Sequence, residues 1–243
     1  MTEIARTRIS RKIPALRNPG LRPRAERGSI SAEQIMLGAR SLAEEVGLDA
    51  LSMPKLAEHL GIGVTSIYWY FRNKNDLLEA LTIAAAQRFH FLIESPEDLP
   101  WDDYLFEEFT RLRAAMRKDP VSCDLLFMRG GRASDNALIH FWPGMEKSIG
   151  RMVAAGISPH TALQNITILS LYTRGSIVLE RQMRKAGISP DVETPVPPTF
   201  PLLFRALEGQ NTRGVSDAAH AAQLRAIIDG MALRARDIER FTV

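Results

Sequence analysis

The sequence has little cysteine: the only one is Cys123. A lone cysteine forms no internal disulfide, and without a Cys-x-x-Cys pair it indicates no zinc site. No apolar run approaches the ~20 residues that span a bilayer, and the first residues lack the apolar middle of a signal peptide. We therefore expect a cytoplasmic protein without membrane contact, in which Cys123 is a packing residue.

Signatures of catalysis are missing as well. There is no Gly-x-Ser-x-Gly elbow, no Walker loop and no dinucleotide fingerprint, and the five histidines occur at no metal-ligand spacing. We expect no catalytic residue, no metal and no cofactor. The alternatives kept open are a helical enzyme, a helical small-molecule-binding protein without a DNA-linked role, and a helical scaffold.

The charge is small but unevenly distributed. A formal net charge of +3 does not make the whole chain a polyanion binder, yet residues 1–28 hold eight arginines or lysines against two glutamates. With three prolines and scarcely any apolar periodicity, this segment is expected to be a disordered basic arm. An arm ahead of a DNA reader lies along phosphates or enters a minor groove, and a solvated tail is the alternative.

Residues 52–74 contain the pattern around which the chain is organised. Ser52 is placed to cap a short helix, and the first turn of a helix tolerates Pro54. Gly61 follows the last apolar position, where a left-handed residue ends a helix. A second short helix is predicted over 64–70, so the pattern is helix, tight turn and helix, which predicts a helix-turn-helix.

The outward face predicted for the second helix carries no charge. Helical periodicity places Val64, Ile67, Tyr68 and Phe71 toward the first helix, and Thr65, Ser66, Trp69 and Tyr70 outward. A helix that enters the major groove needs short donors and acceptors, apolar surface for thymine methyl groups, and no carboxylates facing phosphate. The outward set meets these needs; a helical hairpin with its aromatic side chains in the core is the alternative.

Residues 30–81 resemble the DNA-binding domain of the tetracycline repressor (TetR) family of bacterial transcription regulators. The resemblance rests on Ala-Arg-Ser-Leu-Ala-Glu-Glu-Val-Gly-Leu-Asp-Ala-Leu-Ser at 39–52, Leu-Ala-Glu-His-Leu-Gly at 56–61, Ile-Tyr-Trp-Tyr-Phe at 67–71 and Asn-Lys-Asn-Asp-Leu-Leu at 73–78. It implies an all-α protein, with a three-helix helix-turn-helix domain followed by a larger helical domain for ligand binding and dimerisation.

The resemblance also implies how the domain contacts duplex DNA. Phosphate contacts are implied for Tyr68 and Lys74, and base contacts for the outward set; the full candidate set is Ser52, Lys55, Thr65, Ser66, Tyr68, Trp69, Tyr70 and Lys74. This chain has Pro54 where the tetracycline repressor has a guanine-reading arginine. The operator sequence therefore does not carry over.

Start and stop signals divide the rest of the chain into helices. Ser31 and Gln34 form a capping box ahead of an apolar stripe of Ile35, Ala39, Leu42, Ala43 and Val46. Further helices are predicted from 73 to 93, 104 to 117, 125 to 128, 136 to 155, 158 to 186 and 216 to 241, with a proline-rich loop at 190–201. We assign 1–28 to the arm, 29–75 to the DNA-binding domain and 76–243 to the ligand-binding and dimerisation domain.

The two long C-terminal helices carry wide apolar faces. One face is sufficient to cover a core, so the other remains available for a partner. The resemblance implies that these helices form a four-helix interface in a homodimer. Burial inside the monomer is the alternative.

The C-terminal half resembles the tetracycline repressor family's own ligand-binding domain through segments 156–163 and 172–180. His90 aligns with a drug-contacting histidine, whereas the histidine that binds drug-bound magnesium aligns, by an ungapped count, with Leu126. We therefore expect an apolar or amphipathic effector that binds without metal. The candidate ligand-binding residues are His90, Phe109, Leu112, Leu126, Phe127, Arg129, Tyr172 and Ile177, and simple core filling is the alternative for each.

Overall fold

The computed structural model describes residues 30–92, 98–128, 135–189, 197, 199–207 and 216–241. Within these ranges the side chains of 90–92, 135, 138, 207 and 235–241 are not described. The predicted basic arm at 1–28 lies outside the described residues. The described part of the chain is all-α, as predicted, and none of its helices is both long and apolar enough to cross a bilayer.

Three short helices form the N-terminal module: α1 (Ala32–Val46), α2 (Met53–Leu60) and α3 (Val64–Tyr68). The predicted capping box starts α1, because the Gln34 amide donates to Ser31 Oγ at 3.1 Å and the Ser31 amide donates to Gln34 Oε1 at 2.8 Å. The predicted apolar stripe is buried except for Val46, which is 41% exposed. Val46 is the last residue of α1, next to the C-cap Gly47.

A single continuous helix, α4 (Lys74–Leu92), leads from this module into the larger domain. Its predicted stripe of Leu77, Leu78, Leu81, Ala85 and Phe89 is entirely buried. The helix crosses the predicted domain boundary at 75/76 without interruption. A rotation at one end of α4 is therefore transmitted to the other end as a rigid movement.

The larger domain contains α5 (Trp101–Lys118), α6 (Pro120–Cys123) continued by a π-helical turn (Asp124–Met128), α7 (Asp135–Leu138), α8 (Trp142–Ala154), α9 (Pro159–Lys185), α10 (Pro201–Leu207) and α11 (Asp217–Phe241). Helix α5 is central and packs against α8, α9 and α11. On α9 the predicted buried face of Ile166, Leu169, Thr173 and Ile177 is confirmed.

The structure differs from the predicted helices at two places in this domain. The single helix predicted over 136–155 is divided into α7 and α8, because Pro143 has no amide hydrogen to donate to the carbonyl of Ile139 and its ring clashes with that carbonyl in a continuous helix. The other difference is α10, which starts at Pro201, the last residue of the predicted loop. Proline is compatible with the first position of a helix. Because Pro201 was assigned to the proline-rich loop, the helix that it starts was not predicted.

Candidate functional site

The turn between α2 and α3 has the geometry of a helix-turn-helix. Ser52 Oγ accepts the Lys55 amide at 3.4 Å and starts α2. Gly61 ends it in the left-handed conformation, with φ 65° and ψ 32°, a region that side chains with a Cβ rarely adopt. The Ile62 amide then returns to the Ala57 carbonyl at 3.0 Å, so this turn fixes the direction in which α3 leaves.

The exposed side of α3 presents mainly hydroxyl groups and aromatic rings. Trp69 is 76% exposed, Tyr68 is 46% exposed, Thr65 is exposed and Ser66 is partly buried. Ile67 is fully buried, and this anchors the helix against its own domain. The surface therefore combines apolar area with short hydrogen-bonding groups and lacks carboxylates on the helix itself.

The two tyrosines of this segment are oriented differently from the prediction. Tyr68 was expected to face α2 but points to solvent, whereas Tyr70 was expected to point outward but is partly buried against the core. For Tyr70 the reason is that α3 ends at Tyr68, two residues earlier than predicted. The Tyr70 amide donates to the Ile67 carbonyl three residues back, at 3.0 Å, and this tighter turn rotates Tyr70 inward.

Lys74 and Lys55 occupy different environments. The Lys74 ammonium donates to the Leu48 carbonyl at 2.9 Å and to the Asp49 carbonyl at 3.2 Å, which holds the start of α4 against the loop between α1 and α2. Lys55 is exposed on α2. Lys74 thus holds the first turn of α4 close to the helix-turn-helix. Its contact with a DNA phosphate stays a prediction.

A polar cluster joins the N-terminal module to the larger domain. Arg40 of α1 lies 2.9 Å from the Asp119 carboxylate and donates to Ser122 Oγ at 3.1 Å. Asp119 also accepts from the Ser122 amide at 3.0 Å and hydroxyl at 2.7 Å, so it caps α6 at the same time. We call this cluster the Arg40–Asp119 tie. Sequence reasoning missed it, because the two residues lie far apart in the chain.

The charges of the tie are stabilised in the folded protein. Burial alone raises the pKa of Asp119, but the hydrogen bonds from Ser122 and the Arg40 guanidinium outweigh it and hold the pKa below its usual value. Since the folded-state pKa is depressed, the tie contributes its full stability above the ordinary pKa of a carboxyl group. That contribution is lost as the pH falls through the lower folded-state pKa.

The predicted effector residues that the structure describes belong to the hydrophobic core or pack against it. Phe109, Leu112, Leu126 and Ile177 are buried, Phe127 and Tyr172 are partly buried, the side chain of His90 is not described, and Arg129 lies outside the described residues. Tyr172 stacks on His220 with ring centroids 4.8 Å apart and donates to Gln223 Oε1 at 2.8 Å, so it faces α11.

Phe127 belongs instead to an aromatic cluster with α4 and the residue preceding α8. Its ring centroid lies 5.9 Å from that of Phe89 and 6.1 Å from that of Phe141. Arg174 of α9 lies over the Phe127 ring, with its guanidinium carbon 5.2 Å from the ring centroid. Burial lowers the pKa of Arg174 below that of an exposed arginine. Arg174 was absent from the predicted site.

A solvent-open cavity of about 690 Å³ lies between the end of α5, α6 and the end of α9. Among the predicted effector residues, Ile177 lines it. The other walls include five cationic side chains and two carboxylates: Arg117, Lys118, Arg181, Arg184, Lys185, Asp124 and Glu180. The walls of this cavity carry more charged side chains than the set of predicted effector residues does.

The residues aligned with the magnesium site do not suit a magnesium ion. Leu126 offers a buried alkyl group where Mg²⁺ requires oxygen ligands, and the neighbouring Asp124 carboxylate pairs with Arg181. Across the described ranges, no three histidine, cysteine, aspartate or glutamate side chains lie close enough to share a metal ion.

Helix-turn-helix geometry, an uncharged exposed reading face and a long helix into a second helical domain together define a helix-turn-helix DNA-binding regulator. A family model described as "Bacterial regulatory proteins, tetR family" matches residues 35–81, and one described as "Tetracyclin repressor-like, C-terminal domain" matches residues 95–235. The chain belongs to the tetR family of bacterial regulatory proteins.

Similar proteins agree with this assignment. An HTH-type transcriptional repressor of Mycobacterium tuberculosis is 41% identical over 206 residues, which are 82% of this chain and 78% of that protein. Tetracycline repressor protein class A of Escherichia coli is 30% identical over 203 residues, 82% of this chain and 89% of that protein. The crystal structure of TetR from Acinetobacter baumannii AYE has a TM-score of 0.60 at 29% identity, covering 85% of this chain and 99% of that one.

Membership in the family decides between the alternatives left open by the sequence. Members of this family are DNA-binding transcriptional regulators and not enzymes. The predictions of a regulator and of a non-enzyme are thus confirmed.

Proposed function

We propose that the protein is a homodimeric repressor that binds a palindromic operator through α3 of each subunit and is released by a small apolar or amphipathic effector. The observation that carries the proposal is the exposed face of α3, on which Trp69 and Tyr68 are held outward by the buried Ile67. Exposed aromatic side chains that lie next to each other form an apolar surface of the kind that marks a binding site.

The DNA contacts are expected to divide by chemistry. Thr65, Ser66 and Trp69 offer groups that fit base edges and thymine methyl groups, whereas the Tyr68 hydroxyl and Lys55 are placed for phosphate. Ser52, Tyr70 and Lys74 are held by contacts inside the protein. These three residues support the exposed side of α3, and we expect them to contact DNA through the exposed atoms of their side chains.

Substitution at Trp69 and at Tyr68 should have different effects on DNA binding. Trp69→Ala is expected to change which bases are preferred, because it removes apolar surface facing the groove. Tyr68→Phe is expected to weaken binding to all sequences alike, because it removes a phosphate contact while keeping the ring. Selection of bound sequences from a random duplex library, followed by titration of the selected operator, measures both effects. A wild-type protein that selects no sequence would contradict the proposed function.

Dimerisation is supported by a stripe of exposed side chains on α9, opposite its buried face. Leu171 is 63% exposed, Ile168 is 48% exposed and Leu179 is 43% exposed, and Gly175 between them has open space around it. Leu233 of α11 is 61% exposed. Contiguous apolar surface of this kind marks an interface.

The Arg40–Asp119 tie provides a path by which an effector changes DNA affinity. The tie joins α1 to α6, and α6 continues without interruption into the turn that carries Leu126 and Phe127. A ligand that moves this turn therefore pulls on the DNA-binding module, and it shifts the equilibrium by its preference for one arrangement. His90 and Arg129 stay proposed polar contacts to the effector.

Removal of the Asp119 carboxylate is expected to loosen the DNA-binding module from the larger domain. Asp119→Asn keeps the shape of the side chain but removes the negative partner of Arg40, and a hydrogen bond to a charged group contributes about 1.5–3 kcal/mol. Calorimetry should show the module unfolding in a separate transition at lower temperature. Glu44→Gln is the control, since it removes only the exposed partner of Arg40, which lies at 3.2 Å. A single transition in Asp119→Asn at the wild-type temperature would contradict this role.

A further inference from the structure

Arg174 differs from the other arginines in this part of the larger domain. Arg113 and Arg117 contact the Glu180 carboxylate, as does Arg184, and Arg181 contacts Asp124. Arg174 has neither an acidic partner nor a hydrogen bond within the part of the chain that the structure describes. Its contact there is with the face of the Phe127 ring.

A cation over an aromatic ring is not fully compensated by that ring. The contact is a weak attraction, and the ring accepts none of the guanidinium hydrogen bonds in the plane of the group. A guanidinium carries five N–H donors in a fixed fork that matches a carboxylate. Arg174 is partly buried and has no acidic partner among the described residues, so its donors are available to a bound carboxylate.

The surroundings of Arg174 are aromatic. Phe127 meets Phe89 edge to face, with ring planes at 68°, and meets Phe141 at 52°. These three rings come from α4, the π-helical turn and the residue that precedes α8. Phe127 and Phe141 are partly buried, and a flat aryl group can pack against their accessible edges, because aromatic rings pack favourably in offset or edge-to-face arrangements.

We propose that Arg174 together with Phe127 and Phe141 binds an aromatic carboxylic acid, with the carboxylate paired to the guanidinium and the aryl group against the two partly buried rings, which the fully buried Phe89 supports. The proposal rests on the proposed function and deepens it by naming the chemical class of the effector. The acid requires no metal, in keeping with the buried Leu126 next to Phe127.

The position of the site connects it to DNA binding. Phe127 belongs to the π-helical turn, a type of turn that is strained and often found at functional sites. An aryl group that enters beside Phe127 moves this turn, and the turn is continuous with α6. Because Ser122 of α6 and its cap Asp119 hold Arg40, the movement reaches α1 through the Arg40–Asp119 tie.

The test uses the full-length protein with two probes that differ only in charge, 2-naphthoate and its uncharged amide, 2-naphthamide. Isothermal titration should show that the wild-type protein binds the acid at least ~10-fold more tightly than the amide, as expected for a charge-assisted pair. Arg174→Gln should remove this preference and leave the affinity for the amide unchanged. Arg174→Lys should retain part of the preference, since it keeps the charge but loses the fork.

Two further variants make the result specific. Arg111→Gln removes the same charge from an exposed site on α5 and should leave both affinities unchanged. Phe127→Leu should weaken both probes, because it removes ring surface and not charge. Thermal unfolding of each variant, near the wild-type temperature, establishes that the folded proteins are being compared.

The proposal is overturned if neither probe binds the wild-type protein, if the amide binds as tightly as the acid, or if Arg174→Gln keeps the preference. Operator binding by the wild-type protein is measured separately on selected DNA. Loss of that binding contradicts the proposed function, whereas intact operator binding with no preference for the acid contradicts the effector class alone. Naphthoate should also lower the operator affinity of the wild-type protein and not that of Arg174→Gln.

Discussion

Leu171→Glu is expected to convert the protein into a folded monomer that no longer binds its operator. Leu171 is the most exposed member of the apolar stripe on α9, and a carboxylate at the centre of an interface is desolvated on both subunits. A monomer contacts one half-site, so specific operator affinity should fall by about 10³-fold or more. Analytical ultracentrifugation and operator titration measure the two effects.

A matched control separates loss of the interface from a general effect of added charge. Val153→Glu places the same carboxylate on α8, at a side chain that is 41% exposed and lies outside the α9 stripe. It should leave both the oligomeric state and the operator affinity unchanged. A dimeric, DNA-binding Leu171→Glu protein would show that the dimer uses another surface.

Glu180→Leu is expected to produce the largest loss of stability among single substitutions in the larger domain. The Glu180 carboxylate lies 2.9 Å from Arg113, 3.0 Å from Arg117 and 2.7 Å from Arg184. Arg113 and Glu180 are both 4% exposed. Removal of the acid leaves the Arg113 charge buried and only partly compensated by Asp217, and breaking a buried pair costs about 3–5 kcal/mol in the free energy of unfolding.

Denaturant titration and thermal unfolding check this expectation. For a chain of this size, 3–5 kcal/mol corresponds to a melting temperature lower by roughly 6–20 °C. The double substitution Arg113→Leu with Glu180→Leu should recover most of the loss, since it removes both charges. Glu107→Leu is the control: it breaks an exposed pair in which Glu107 lies 3.7 Å from Arg111, and should change the free energy of unfolding by less than about 1 kcal/mol. Equal stability of Glu180→Leu and the wild type would contradict the argument.

The helix-turn-helix could be predicted closely because its signals are local. A side-chain cap at Ser52, a left-handed glycine at Gly61 and a capping box at Ser31 each depend on residues within one or two turns. Nearly all of the apolar positions predicted for α1 and α4 are buried for the same reason. A helical period fixes which side of a helix is apolar before the helix has a partner.

The orientation of individual side chains at the helix ends was less predictable. Tyr70 differs from the prediction because α3 ends two residues early and the chain after it forms a tighter turn, while Tyr68, the last residue of α3, is exposed. The sequence contains the signal that divides α7 from α8, which is Pro143. Helix α10 was not predicted because its first residue, Pro201, was assigned to a loop. These differences concern where a helix ends, which depends on small energy differences between turn geometries.

The sequence by itself determined the fold class, the reading helix and the apolar faces of the long helices, because these follow from periodicity and caps within short stretches of chain. Only the tertiary structure decided that Arg40 contacts Asp119, that Glu180 contacts three arginines and that Arg174 has no acidic partner among the described residues. A charged side chain takes its partner from whatever helix packs beside it, at separations along the chain that no local pattern encodes. The pairing of charges, and hence the candidate effector site, is therefore a property of how the helices pack.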